Sequence, residues 1–306
     1  MAAQILGRAL GNRLRLAIVG LGKMGRLHLR TWQKFSDVSI TVVVDTDPGK
    51  AACPETHHLS FLRHFGDLYG KVDAAIIATP AREHVACAAA LLGKGIHCLV
   101  EKPLAVDYAD SAQLVSIAAR CGTVLAVGHS ERFNPGVRYA QNALTTDIRR
   151  VEVFRMGPLA RGTLGDADVV QDLMIHDLDW VIDGLRELPR EFRIRDARWH
   201  RSALSCVSCE LLFSRGKRVG LTASSMTSVR RREIQLFLNN GAIHFVDLDS
   251  PPNPCRADPL TLQAAAFLAA VGGQVSGIAT GVDALAAIAL GDEIRALCRN
   301  TTALVP

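Results

Sequence analysis

The sequence predicts a two-domain α/β chain: a doubly wound parallel sheet first, then an α+β domain with a large open, mainly antiparallel sheet. Three observations predict it. Short, fully apolar β-rich runs alternate with helical patterns from residue 14 to residue 127. From residue 128 the pattern changes to longer strands with little helix between them. The 306 residues, 49% of them apolar, are enough to bury two cores of ordinary size.

In the first domain, expected over residues 1–127, the strands are LRLAIV, ITVVVD, AAIIAT, HCLVE and TVLAV. The helical patterns between them are MGRLHLRTWQKF, EHVACAAALLGKG and DYADSAQLVSIAARCG. Strands apolar on both faces need helices on both sides, which is the arrangement of a parallel sheet. The second domain, expected over 128–306, has a helical stretch near 166–186, followed by EFRIRDARWH, LSCVSCELLF and KRVGLTAS. REIQLFL and AIHFVDL come next, joined by Asn239-Asn240-Gly241, a hairpin signal. Proline makes DSPPNPCRADP (249–259) a loop, and two helices, TLQAAAFLAAVGG and DALAAIALGDEIRALC, close the chain.

The net charge of +5 comes from 35 basic and 30 acidic residues. Apart from Arg230, Arg231 and Arg232, read as a solvated edge, the basic residues are dispersed. That argues against nucleic acid as a partner and is compatible with an anionic small molecule. Eight cysteines (53, 87, 98, 121, 206, 209, 255 and 298) show no framework spacing and read as packing thiols in a reducing cytosol. The lone C-x-x-C of Cys206 and Cys209 is included among them. His57, His58 and His64 lack a third partner at metal-ligand spacing, so no metal is expected. No segment resembles a secretory leader or approaches the roughly 18 apolar residues of a membrane span. The expectation is a soluble cytoplasmic protein with a loose N-terminal tail and no membrane insertion.

The chemistry begins at AIVGLGKMGRLH, where Gly20, Gly22 and Gly25 stand in G-x-G-x-x-G spacing after a strand and at the opening of a helix. The first glycine permits the tight turn, the second admits a pyrophosphate to the backbone, and the third lets helix and strand pack closely. Lys23 and Met24 lie between the last two. Asp45 ends the next strand twenty residues beyond Gly25, where an acid bonds the adenine ribose hydroxyls. Thr46 and Asp47 offer no arginine to a 2′-phosphate, so the cofactor is NAD. Thr79-Pro80 and Glu101-Lys102-Pro103 end later strands, where open parallel sheets place ligands, and His84 opens the helix after the former. In the second domain Asp172 and His176 are four residues apart, so on a helix their side chains share one face. Arg132 and Asn134 in GHSERFNP, and Arg155 and Arg161 in FRMGPLARG, are candidates for gripping a substrate or its phosphates.

With G-x-G-x-M-G, Glu101-Lys102-Pro103 and the D-x-x-x-H of Asp172 to His176, the chain resembles the Gfo/Idh/MocA oxidoreductases over nearly its whole length. The resemblance implies a Rossmann domain followed by an open-faced antiparallel sheet, NAD or NADP as cofactor, and oxidation or reduction of a hydroxyl-bearing ring carbon. It also implies a homodimer or homotetramer built by pairing sheets between subunits. GHSERFNPGV (128–137) and DADVVQDLMIHDLD (166–179) are similar to the corresponding segments of UDP-N-acetylglucosamine 3-dehydrogenases. That likeness implies oxidation of the 3-hydroxyl of a UDP-sugar, the ketone passing to an aminotransferase in lipid A or surface polysaccharide synthesis. His176, oriented by Asp172, would take the hydroxyl proton while Lys102 from the other domain steadies the oxygen, and either can be the base. Relatives acting on another sugar, inositol or nucleotide sugar share these motifs, and a non-catalytic NAD-binding regulator is the reading from another class. Lys102, Asp172 and His176 together speak against the regulator.

Overall fold

The computed structural model describes residues 13–52, 55–144, 148–158, 168–200, 203–251 and 257–302. Two compact units emerge, Met1–Ser130 with Ala257–Val282, and Glu131–Arg256 with Asp283–Pro306. The second domain, expected to run unbroken to the C terminus, is therefore interrupted.

In the first unit all six strands are parallel: β1 (Leu14–Val19), β2 (Val38–Val44), β3 (Ser60–Leu62), β4 (Ala74–Ile77), β5 (His97–Val100) and β6 (Leu125–Val127). Their order is β3-β2-β1-β4-β5-β6, so the winding reverses between β1 and β4 and opens a crevice at the strand ends there. Three residues of partly exposed β3 were too few to stand out in the sequence. Helices α1 (Lys23–Trp32), α2 (Ala81–Leu92) and α3 (Tyr108–Cys121) connect the strands. The last is bounded as physical chemistry predicts: the Asp107 side chain accepts from Asp110 N–H at 2.9 Å, and Gly122 closes it at φ 63°.

Helix α6 (Pro259–Val271) belongs to this unit. Asp258 caps it by accepting from Thr261 N–H at 3.0 Å, and buried Phe267 meets Trp32 edge-on at 6.1 Å. A nearly all-apolar helix placed after a proline-rich loop has no reason, from sequence alone, to rejoin one unit rather than the other.

In the second unit β7 (Ile148–Pro158), β8 (Glu191–His200), β9 (Ala203–Leu212), β10 (Arg218–Ser224), β11 (Met226–Leu238) and β12 (Ile243–Asp247) form a sheet ordered β12-β11-β7-β10-β9-β8. Only β7 and β10 run parallel; the other neighbours are antiparallel. Central β7 did not register as a strand in the sequence because arginines and Glu152 interrupt its apolar run. Val151 and Val153 are nonetheless buried, between Val219 and Leu221 on one side and Leu236 and Ile234 on the other, and Glu152 between them is buried too. The Asn239-Asn240-Gly241 turn forms as expected, with Leu238 N–H bonded to Ala242 O at 2.9 Å and Gly241 at φ 87°. Helix α4 (Pro135–Leu144) and a π turn (Val170–Met174) pack on the apolar face; the turn leads into α5 (Ile175–Leu185), and α7 (Gly281–Thr302) ends the described chain. Among the described residues no helix is long and apolar enough to cross a membrane.

Candidate active site

The glycine turn of the first unit is shaped by close approach. Gly20 sits at φ 92°, and a Cβ there would lie 2.6 Å from Ala78 O. A Cβ on Gly25 would stand 1.8 Å from Gly20 O, so only glycine lets α1 pack on β1. At Gly22, by contrast, no atom lies within 4 Å of where a Cβ would point. Space therefore opens beside the backbone at the start of α1, where Gly22, Lys23 and Met24 lie and where Gly22 makes no side-chain cap. These are the conditions for a pyrophosphate on a helix N terminus.

Asp45 is buried at the end of β2. It accepts from Leu21 N–H at 2.7 Å and Asp47 N–H at 2.9 Å, and Lys50 Nζ lies 2.9 Å away. Burial raises its carboxyl, but these donors outweigh burial and hold it below the ordinary aspartate range. The site thus keeps a fixed negative charge near the glycine turn.

Thr79 and Pro80 follow β4, and Pro80 stands at the N-cap of α2. His84 is buried with Nδ1 2.9 Å from Pro103 O and Nε2 3.0 Å from Thr79 O. Burial pulls its imidazole below the usual value, against the opposing pull of the Pro103 and Thr79 carbonyls. Glu101 is also buried, receiving His28 Nε2 at 2.8 Å and the Lys102 N–H at 3.3 Å. Burial raises its carboxyl, but His28 and Lys102 hold it below the ordinary range. Lys102 itself is half-buried.

The other unit carries Asp172 on the π turn and His176 on the first turn of α5. The expected α-helix departs here from regular winding: Ile175 N–H bonds back to Val170 O, five residues earlier. Asp172, Leu173 and His176 are half-buried, while Gln171, Met174, Ile175 and Asp177 are buried, so one accessible stripe runs through an otherwise enclosed segment. Asp168 starts the segment by accepting from Val170 and Gln171 N–H at 3.0 and 3.2 Å and is held by Arg295 Nε at 2.6 Å.

Asp177 and Asp179 take two of the three arginines that the sequence offered to substrate. Arg155 donates to both oxygens of Asp177 at 2.9 and 2.7 Å and reaches Glu131 at 3.4 Å. Arg132 donates to both oxygens of Asp179 at 2.7 Å, with Asp183 at 3.4 Å. Both arginines are buried, which works against their charge, but the carboxylates outweigh burial and hold both guanidinium groups more firmly charged than usual. Asn134 is likewise engaged internally, donating to Leu248 O at 3.0 Å and accepting from Gly136 N–H at 2.9 Å. Their groups are therefore turned to internal partners, and Arg161 lies outside the described residues.

Residues 14–129 match a family model described as an oxidoreductase family with an NAD-binding Rossmann fold, GFO_IDH_MocA. The UDP-N-acetylglucosamine 3-dehydrogenase of Acidithiobacillus ferrooxidans is 30% identical over 227 residues, 73% of this chain and 71% of that one. The chain belongs to the Gfo/Idh/MocA family. A crystal structure of the same A. ferrooxidans enzyme has a TM-score of 0.81 at 25% identity, covering 94% of this chain and 98% of that chain. The myo-inositol dehydrogenase Hyg17 of Streptomyces leeuwenhoekii is 28% identical over 178 residues, 55% of this chain and 54% of that one.

As a Gfo/Idh/MocA oxidoreductase the chain uses NAD, and its glycine turn, open Gly22 and ionised Asp45 fit that cofactor. Sequence reasoning missed His28, Asp168 and Arg295. A histidine at the sixth position of an amphipathic helix carries no local mark of function, and the Arg295 contact spans 127 positions. Arg232 was read as part of a solvated edge, but it is largely enclosed, bonding Glu131 at 2.6 Å and Asp249 at 2.5 Å. The cysteines are as expected: the six described are free, and burial pushes Cys87 and Cys209 up to about 12.

Proposed function

We propose that this oxidoreductase is an NAD-dependent dehydrogenase that oxidises the 3-hydroxyl of UDP-N-acetylglucosamine to the ketone. The observation that carries the reading is the accessible Asp172–Leu173–His176 stripe running from a π turn into α5, flanked by two aspartates that lock buried arginines. π turns of this kind concentrate at functional sites. The likeness to the A. ferrooxidans enzyme supports the substrate.

NAD, when bound, supplies the hydride acceptor. His176 removes the hydroxyl proton as the carbon loses its hydride, Asp172 fixes the imidazole tautomer, and Lys102 donates to the oxygen as charge develops on it. Because Arg132, Asn134 and Arg155 bind internal partners, the sugar phosphates are gripped by other groups, for which Arg161 is a candidate. The ketone is a substrate for an aminotransferase.

The open face of the second sheet is covered, in this proposal, by a second copy of the chain. It exposes Phe245 and Ile243 and carries Arg150, Arg195 and Arg231 beside Glu152, Glu210 and Glu233. A face with both signs and an apolar margin is complementary to itself across a two-fold axis.

The test is NADH formation with UDP-N-acetylglucosamine, UDP-glucose, free sugars and inositol, with an aminotransferase and glutamate drawing off the ketone. Turnover with UDP-N-acetylglucosamine that falls by about 10²–10⁴ in His176→Ala, with NAD binding retained, supports the reading. Turnover with inositol or a free sugar instead overturns the substrate. NAD binding with no turnover on any compound favours a regulator.

A further inference from the structure

Three buried polar side chains of the first unit surround one three-residue segment, and none of them is needed for the chemistry above. His28 on α1 and His84 on α2 are each about 1% exposed, and Glu101 is 8% exposed. His28 Nε2 meets Glu101 Oε1 at 2.8 Å; His84 Nδ1 meets Pro103 O at 2.9 Å. Lys102 lies between those two attachments. Its own N–H bonds Glu101 Oε2 at 3.3 Å, and Glu101 N–H bonds Ile77 O at 2.8 Å. The other nitrogen of the His84 ring lies 3.0 Å from Thr79 O, so the imidazole sits between the end of β4 and the end of β5, its single N–H in the neutral form donating to one of the two carbonyls.

We propose that His28 and His84 are positioning residues for Lys102, acting through the Glu101 carboxylate on one side and the Pro103 carbonyl on the other. Glu101 and His84 then serve placement of the lysine and not direct contact with NAD, the role their sequence positions suggested. Their polar atoms already have partners, and both histidine rings are closed to solvent. Gly128 leaves room for the carboxylate, since a Cβ there would lie 3.0 Å from Glu101 Oε2. Stability alone does not call for this arrangement, because buried ion pairs can be replaced by apolar groups of similar shape at little or no loss. What polar pairs add is a single defined backbone position, here that of one half-buried lysine. The inference rests on the reading of Lys102 as the group that steadies the substrate oxygen.

The experiment uses the full chain saturated with NAD. Reductive methylation followed by peptide mass spectrometry gives the labelling of Lys102 relative to exposed Lys71, which needs no substrate. kcat and the KM for NAD are measured beside it. His28→Phe and His84→Phe keep the ring and remove the nitrogens; His28→Gln and His84→Gln keep an N–H within reach. The phenylalanine variants are expected to change the Lys102 to Lys71 ratio severalfold and to lower kcat by about tenfold to a hundredfold, as displacement of a reacting group by about 1 Å does. The KM for NAD should hold, and the glutamine variants should recover part of both losses. If a phenylalanine variant does not fold, His28→Asn and His84→Asn, polar but too short to span the bond, are read in its place. Loss of NAD affinity with an unchanged labelling ratio would overturn the proposal, and so would unchanged labelling and kcat. A wild-type chain inactive on every sugar, with Lys102 labelling still responding to the variants, would sink the substrate reading and leave the positioning role standing.

Discussion

Removing Arg155 tests how the segment bearing His176 is held. The guanidinium makes two short charge-assisted bonds to Asp177, at 2.9 and 2.7 Å, and a longer one to Glu131 at 3.4 Å. Trp180 Nε1 also donates to Asp177 at 3.1 Å, so Asp177 keeps one neutral donor when Arg155 is lost. Two charge-assisted bonds at about 1.5–3 kcal/mol each give a loss of about 3–6 kcal/mol. That agrees with the roughly 3–5 kcal/mol for breaking a buried pair from one side. Arg155→Met should therefore lower stability by about 3–5 kcal/mol, read from urea unfolding at neutral pH, and Arg155→Met with Asp177→Leu should recover much of it. The pH dependence has a definite sign. Burial raises Glu131, but Arg155 and Arg232 hold its folded carboxyl below the ordinary range. Its contribution is present above the unfolded value of about 4.3 and is lost as pH falls through the lower folded value. The gap between wild type and Arg155→Met should thus be widest near neutrality and narrow on acidification. A loss below about 1 kcal/mol, the size of an exposed ion pair, would refute the reasoning.

The two glycines nearest the cofactor should separate folding from binding. Gly25→Ala drives a methyl against Gly20 O and should lower the melting temperature without ligand, whereas Gly22→Ala, with open space around it, should melt as wild type but lose most of the stabilisation that NAD gives. Asp45→Ala removes the carboxylate opposite Lys50 and should move the NAD to NADP preference toward NADP by about tenfold or more, equivalent to about 1.4 kcal/mol, in coupled kinetics with both cofactors. Light scattering should give a mass of two or four chains; a monomer mass would sink the self-pairing of the open sheet, and Phe245→Glu should lower the assembly state.

The parallel sheet was legible because each of its longer strands is an apolar run set between helical periods, and the glycine spacing marked the turn that orients them. The second sheet was less so. β7, its central strand, alternates buried valines with charged residues that sit on the other face or pair beneath it, and in one dimension such charges read as surface. The histidine and its aspartate were visible as a spacing, but the π turn between them was not, since nothing in VVQDLMIH departs from ordinary helical composition. The internal partners of the arginines were hidden for a related reason. A guanidinium suits a phosphate and a carboxylate equally, and the fork alone does not say which it meets.

The partners of those arginines stood in the same motif as the histidine. In IHDLD the polar residues at 176, 177 and 179 leave the helix in different directions: His176 toward the accessible stripe, Asp177 to Arg155 of β7, and Asp179 to Arg132 ahead of α4. Two bidentate contacts leaving one turn in different directions fix both the rotation and the height of the helix, which a layer of leucines would hold with less definition. Irregular winding at the π turn would otherwise leave the histidine's direction loosely set. Carboxylates and arginines that add little net stability are thus accounted for by the orientation they impose on a single imidazole.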